Sequence, residues 1–240
     1  KKSLSSEYGL SSMPSNADIM KLVPEDERKD FKSILGIKPS RSISGIANIA
    51  VMWNQEDSCP GNCIYCPRGE DAPQSYTGKE PAARRAKRVF YDPYKQVKNR
   101  LNQLELTGHS TDKSNLIIMG GTFPSAPWEF QKKFVKRCFD AFNGETSGSL
   151  KEAQKVNESA KVRNIGMTIE TRPDFAKEKH INRMLRLGAT RVELGVQTLR
   201  NKTHEITNRK HTVEDSIEST KLLKNSCFKV AYHMMLGMPG

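Results

Sequence analysis

Three cysteines within eight residues, Cys59-Pro60-Gly61-Asn62-Cys63-Ile64-Tyr65-Cys66, constrain this chain more than any other feature. The five cysteines of its 240 residues do not read as a disulfide framework, and a cluster of three reads as a metal site. Thiolates spaced C-x3-C-x2-C suit three irons of a four-iron, four-sulfur cluster and leave the fourth iron without a protein ligand. Structural zinc is the competing reading. Zinc sites usually pair two C-x2-C knuckles, or two cysteines with two histidines. Here there is no second knuckle, and the nearest later histidine, His109, follows a predicted helix. The cluster is the stronger reading. Cys138 and Cys227 fall in apolar helical stretches and read as small buried hydrophobes.

Strand and helix alternate around this loop. Strands are expected at Ile46 to Met52, Leu116 to Met119, Ile165 to Glu170, Val192 to Val196 and Phe228 to Met235. Pro81 opens a basic helix that Asp92-Pro93 interrupts and restarts. Further helices run through Phe130 to Phe139, weakly from Leu150 to Ala160, up to Leu187 with Gly188 as its cap, and from Val213 to Asn225. Residues 1–43 read as a separate N-terminal region, with a helix start at Pro24-Glu25-Asp26-Glu27. Such βα repetition predicts an α/β fold with a parallel sheet or barrel, whose chemistry sits in the loops after the strands.

A formal charge of +12 points to a polyanionic partner, most often nucleic acid. Arg84, Arg85, Lys87 and Arg88 put four cations into five residues at a helix start. Mutual repulsion there is relieved by an external anion, and RNA phosphate is the preferred reading over a solvated face. No apolar run is long enough to span a membrane and no secretory signal is visible, so a cytoplasmic protein is expected. The first residue is not methionine and the last residues look like an active-site loop, so a piece of a longer protein is expected.

An iron lacking a protein ligand can be chelated by the amino and carboxylate groups of S-adenosylmethionine, whose one-electron cleavage yields a 5′-deoxyadenosyl radical. Tyr65, directly before the last cysteine, suits packing against adenine. Gly120 and Gly121 end the second strand and let a ligand approach the backbone, unless they serve only a tight turn. Glu170 and Arg172 end the third strand and Gln197 the fourth. Converging there, a carboxylate, a guanidinium and an amide suit a cofactor with ammonium, carboxylate and ribose groups, although each alone could be a structural pair. Arg209 is balanced between that role and a plain surface arginine. His233 reads as a core histidine.

The cysteine loop resembles the radical S-adenosylmethionine superfamily signature. The stretches Ser44 to Ala47, Gln74 to Gly78, Tyr91 to Pro93, Met119 to Phe123, Glu170 to Asp174, Glu193 to Gln197, Thr207 to Arg209 and His233 to Met235 are similar to the catalytic subunit of Elongator, in the same order and over nearly the whole chain. Gly61 stands where that family commonly has histidine, with a shorter gap to the second cysteine. The resemblance implies a radical-enzyme partial (βα)6 barrel over residues 44–240, about five strands of it present, after a small helical, tRNA-contacting region at 1–43. A sixth strand and an acetyltransferase-like domain would lie beyond Gly240. It implies acetyl-coenzyme A-dependent carboxymethylation at carbon 5 of the wobble uridine in tRNA, with Cys59, Cys63 and Cys66 on the cluster and Gly120, Gly121, Thr122, Glu170 and Gln197 seating S-adenosylmethionine. Lys113 matches a lysine that contacts acetyl-coenzyme A, and Arg85 and Arg88 match family positions. Implied partners are tRNA and acetyl-coenzyme A, with a second copy or other Elongator subunits as protein partners. The rival readings are a methylthiotransferase, whose extra cluster domain this chain lacks; a tRNA-binding scaffold with a structural cluster; and protein acetylation, which needs the acetyltransferase domain.

Overall fold

The computed structural model describes residues 2–11, 13–36, 43–54 and 59–240. The parts of the expected N-terminal region at 37–42 and of the cysteine loop at 55–58 lie outside them. Three short helices come first, α1 (Lys2–Glu7), α2 (Asn16–Leu22) and α3 (Arg28–Leu35). Of these, α2 has a full capping box, in which Ser15 accepts from the Asp18 amide and the Asp18 carboxylate accepts from the Ser15 amide.

Thereafter strand and helix alternate: β1 (Ala47–Met52), α4 (Pro81–Lys87), α5 (Pro93–Leu106), β2 (Lys113–Met119), α6 (Trp128–Asn143), α7 (Leu150–Asn157), β3 (Arg163–Thr171), α8 (Glu178–Leu187), β4 (Arg191–Gln197), α9 (Asn201–Ile206), α10 (Val213–Asn225) and β5 (Lys229–Met234). Among the described residues the five strands form one sheet in the order β1-β2-β3-β4-β5, every pair parallel. This is the expected α/β partial barrel. Because each crossover returns the chain to the same starting edge, all five strand ends open on one rim.

The sequence sets the limits of these elements by local means. Pro93 begins α5, and the Asp92 carboxylate accepts from the Lys95 amide as its cap. Gly144 and Gly188 end α6 and α8 in the left-handed conformation that lacks a Cβ penalty only for glycine. The main core lies between the sheet and its helices. Trp53, Phe123, Phe130 and Phe134 form an aromatic cluster there, with Trp53 and Phe123 edge to face at 5.6 Å. A smaller cluster, Met52, Ala83 and Ala86 with Tyr76 and Tyr91 against it, holds α4 on the other face of the sheet.

Two expectations need correction. Cys227 is exposed, because α10 ends at Asn225 and Cys227 lies in the left-handed link to β5 rather than on a helix face. His233 is not in the core of this chain: it stands half-exposed near the end of β5, an edge strand among the described residues, and pairs with Glu193.

Gln96, a buried residue of α5, closes the outer edge of β1: Met52 N donates to its Oε1 and its Nε2 donates to Met52 O, both at 2.8 Å. Gln96→Leu strands two buried backbone groups just before the cysteine loop. Urea unfolding should show a loss of roughly 2–4 kcal/mol. A loss below about 0.5 kcal/mol, typical of neutral surface changes, would contradict the clamp.

Candidate functional site

The cysteine loop follows β1 and is pinned by backbone bonds rather than by regular structure. Ile64 N donates to Thr207 O at 3.1 Å, Cys66 N to Cys63 O at 3.1 Å, and the Asn208 side chain to Asn62 O at 2.8 Å. Gln74 Nε2 donates to Gly61 O at 2.8 Å, which ties the loop to the returning 74–76 segment.

Each sulfur has a polar neighbour. Cys59 Sγ lies 3.2 Å from Thr122 Oγ1 and 3.4 Å from the Gly61 amide, Cys66 Sγ 3.0 Å from Ser75 Oγ, and Cys63 Sγ 3.7 Å from Arg209 Nη1. All three cysteines line one cavity at the strand rim, together with Gly121 and Thr122 after β2, Glu170 and Arg172 at the end of β3, Glu193, Gly195 and Gln197 of β4, Arg209 and His233. Among the described residues the one trio of metal-binding side chains with donor atoms within 4.8 Å of one another is Glu170, Glu193 and His233. The three thiols do not all lie within that distance of one another, a spacing compatible with separate corners of a cluster and wider than four ligands around one zinc ion, about 2.3 Å from each sulfur, require.

Local conformation explains why these residue types are needed. Gly120 (φ +115°) and Gly121 (φ +92°) turn the chain where side chains are not tolerated. A Cβ at Gly120 would also fall 2.4 Å from the Trp53 carbonyl oxygen. Gln197 holds φ +70° without being glycine, a strained backbone of the kind concentrated at functional sites. Alternation along β4 sends Val192, Leu194 and Val196 to the helical core and Glu193, Gly195 and Gln197 to the cavity side.

The electrostatics of the cavity are mixed. Tyr76 donates its hydroxyl to Glu170 Oε2 at 3.0 Å, and His233 pairs with Glu193 at 2.8 Å. Burial raises the Glu170 carboxyl above the usual carboxylate range, partly countered by the Tyr76 bond. Arg172 is buried and bidentate on Asp174, and Arg209 donates from Nη2 to Gly195 O at 2.5 Å and from Nε to His211 Nδ1 at 3.2 Å.

The cavity thus gathers the three cysteines with Gly121, Thr122, Glu170, Arg172, Gln197 and Arg209. Gly120 lies just beneath, against Trp53. Tyr65 is half-buried and is not among the residues that line the cavity; burial holds its phenol up at about 12, with Arg209 and Cys63 beside it. Lys113 begins β2, at the opposite end of the barrel, about 20 Å of strand away. Arg84, Arg85 and Lys87 lie in the last turn of α4 and Arg88 caps it, so the four cations mark the helix end and not its expected start; Arg84, Lys87 and Arg88 are exposed and Arg85 is half-buried, while Lys87 pairs with Asp71 at 3.0 Å. Sequence reasoning missed Tyr76, Glu193 and His211. The strand alternation of β4 carried the signal for Glu193. Tyr76 lies in the Gln74 to Gly78 stretch that resembles the family, but nothing local marked its partner, 94 residues away.

Residues 57–240 match the radical SAM superfamily, and residues 1–43 match the ELP3 N-terminal domain. A Methanocaldococcus jannaschii protein named tRNA uridine(34) acetyltransferase is 54% identical over 232 residues, which is 95% of this chain and 43% of that protein. Human Elongator complex protein 3 is 44% identical, covering 100% of this chain and 46% of its own length. The solved structure of archaeal Methanocaldococcus infernus Elp3, lacking its N-terminus, superposes with a TM-score of 0.68 at 47% identity over 82% of this chain and 39% of that one. The chain therefore spans less than half the length of these relatives. No helix among the described residues is long and apolar enough to cross a membrane.

Burial, with Arg209, His204 and Arg172 as neighbours of like charge, holds the His211 imidazole down at about 3. It is neutral when folded, accepting from Arg209, whereas the unfolded chain protonates it at about 6.5. The unfolded state therefore binds the extra proton between these values, and stability is lost as pH falls through that window. His211→Asn keeps an acceptor near Nδ1 and cannot titrate. The stability advantage of the wild type over this variant, from urea unfolding at about pH 7 and about pH 4.5, should shrink at the lower pH; an advantage that grows or stays constant contradicts a neutral His211.

Proposed function

The chain belongs to the radical SAM superfamily and to its Elongator branch, and from that premise we propose that the whole protein carries out acetyl-coenzyme A-dependent carboxymethylation at carbon 5 of the wobble uridine of tRNA. The observation that carries this reading is the convergence of three thiols with Gly121, Glu170 and Gln197 on one cavity. In it, Cys59, Cys63 and Cys66 hold a four-iron, four-sulfur cluster. Bound there, the cluster and S-adenosylmethionine would supply one-electron cleavage of a sulfonium carbon–sulfur bond, and hence a carbon radical able to take hydrogen from an acetyl methyl group.

The chain's own residues bind and orient. Gly120 and Gly121 let the methionyl end approach the backbone. Glu170, steadied by the Tyr76 hydroxyl, accepts from an ammonium or ribose hydroxyl, and Gln197 offers an amide to the same ligand. Thr122 fixes Cys59. Tyr65, half-buried beside Cys63 and Arg209, steadies the cysteine loop and packs toward adenine. Holding both substrates close is the largest contribution such a site can make. Arg84, Arg85 and Arg88, with Lys87, meet RNA phosphates, and residues 1–43 extend that surface. From the far rim, Lys113 can reach only the phosphate end of acetyl-coenzyme A. The protein works in the cytoplasm, as a dimer or with other Elongator subunits.

The reading is tested by anaerobic reconstitution, reduction and addition of S-adenosylmethionine. Release of 5′-deoxyadenosine, and its fall to background in Cys63→Ser, is expected. A scaffold would bind tRNA and leave the cofactor intact. In filter binding, Arg84→Ala with Arg88→Ala should weaken tRNA and flatten the slope of log affinity against log salt by roughly one to two.

A further inference from the structure

Arg172 comes from the end of β3 and is 4% exposed. Its Nε and Nη2 are engaged by Asp174 at 2.9 and 2.8 Å. The third nitrogen, Nη1, is buried without a hydrogen-bond partner. It lies against the cysteine loop: a Cβ built on Gly61 would sit 2.0 Å from Nη1 and 3.4 Å from Cys59 Sγ. Position 61 is thus the gap through which this guanidinium reaches the sulfur.

Arg209 approaches from the other side, past α9. It is steered by His211 and the Gly195 carbonyl, and its Nη1 points at Cys63 Sγ, 3.7 Å away. A Cβ on Gly195 would fall 2.8 Å from Arg209 Nη2, so that glycine leaves room for the second guanidinium. Among the described residues no carboxylate comes within 4.0 Å of Arg209, and Asp174 answers only one cation. Arg209, half-buried, is held by a carbonyl and an imidazole rather than by a carboxylate, so this part of the cavity favours added negative charge. Cys66 differs: among the described residues its sulfur bonds to the Ser75 hydroxyl and to no guanidinium.

We propose that Arg172 and Arg209 are a paired cation that donates to the thiolates of Cys59 and Cys63 and raises the reduction potential of the cluster they hold, and that Gly61 serves to admit Arg172. The inference rests on the reading that these cysteines hold a cluster. Reduction adds one electron to the cluster and hence a unit of negative charge. Positive charge and N–H donors at the sulfurs favour that reduced state, because both act at short range in a dry site.

The experiment is a redox titration of the anaerobically reconstituted protein without S-adenosylmethionine, followed by electron paramagnetic resonance, with iron content measured on each variant. Arg209→Gln removes one charge. Gly61→Ala displaces Arg172 Nη1 with a single methyl group and leaves the charge count unchanged. Arg209→Lys keeps the charge. Arg209→Gln and Gly61→Ala should each lower the reduced-to-oxidised ratio at a fixed potential about tenfold, a shift of about 59 mV for a one-electron couple; Arg209→Lys should recover more than half of the Gln effect. Wild-type-like potentials in both Arg209→Gln and Gly61→Ala at full iron content overturn the inference and leave the cluster reading standing. A wild-type protein that takes up no four-iron cluster overturns both.

Discussion

Parallel strand pairing is the constraint on which the rest of the molecule depends. Five parallel strands of one sheet need crossovers that all return to the same edge, so every strand ends on one rim. Cys59, Thr122, Glu170, Gln197 and His233 come from widely separated parts of the sequence, yet each follows or ends a strand and meets the others there. The backbone groups of the strands are already satisfied in the ladder. The loops are consequently free to adopt the conformations that the site requires, including the left-handed Gly120, Gly121 and Gln197. Among the described residues the two edge strands, β1 and β5, have a partner on one side only, and at β1 Gln96 holds the free edge of Met52 just before the cysteine loop.

Charge at the rim follows a second logic. The positive groups lie deep, beside the sulfurs: Arg172 is held by Asp174, and Arg209 by a carbonyl and a neutral imidazole. Two carboxylates line the same cavity, Glu170 bonded to Tyr76 and Glu193 paired with His233. A zwitterionic ligand entering it meets charges of both signs at fixed positions, and orientation of that kind is obtained without reorganisation when chemistry occurs.

Much of this was legible in the sequence. The apolar runs of β1 and β2, the alternation of β4 and the proline and glycine stops around α5, α6 and α8 are local signals, and the elements formed where those signals lie. Cys59, Cys63 and Cys66 were legible because metal chemistry fixes spacing. The short helices α1, α2 and α9 were not, since six or seven residues give too few turns for a periodic apolar face. His233 was misread because alternation alone cannot tell a strand covered on both faces from one at an edge. Tyr76 and His211 depend on partners brought near by the fold, and no local pattern encodes them.

The Arg172 guanidinium takes the space that a side chain on residue 61 would need. Whatever stands at position 61 of this loop therefore also sets where the arginine 111 positions later in the chain can lie. The loop and the end of the third strand form one packing unit, which sequence distance conceals and which grafting of either part alone would disturb.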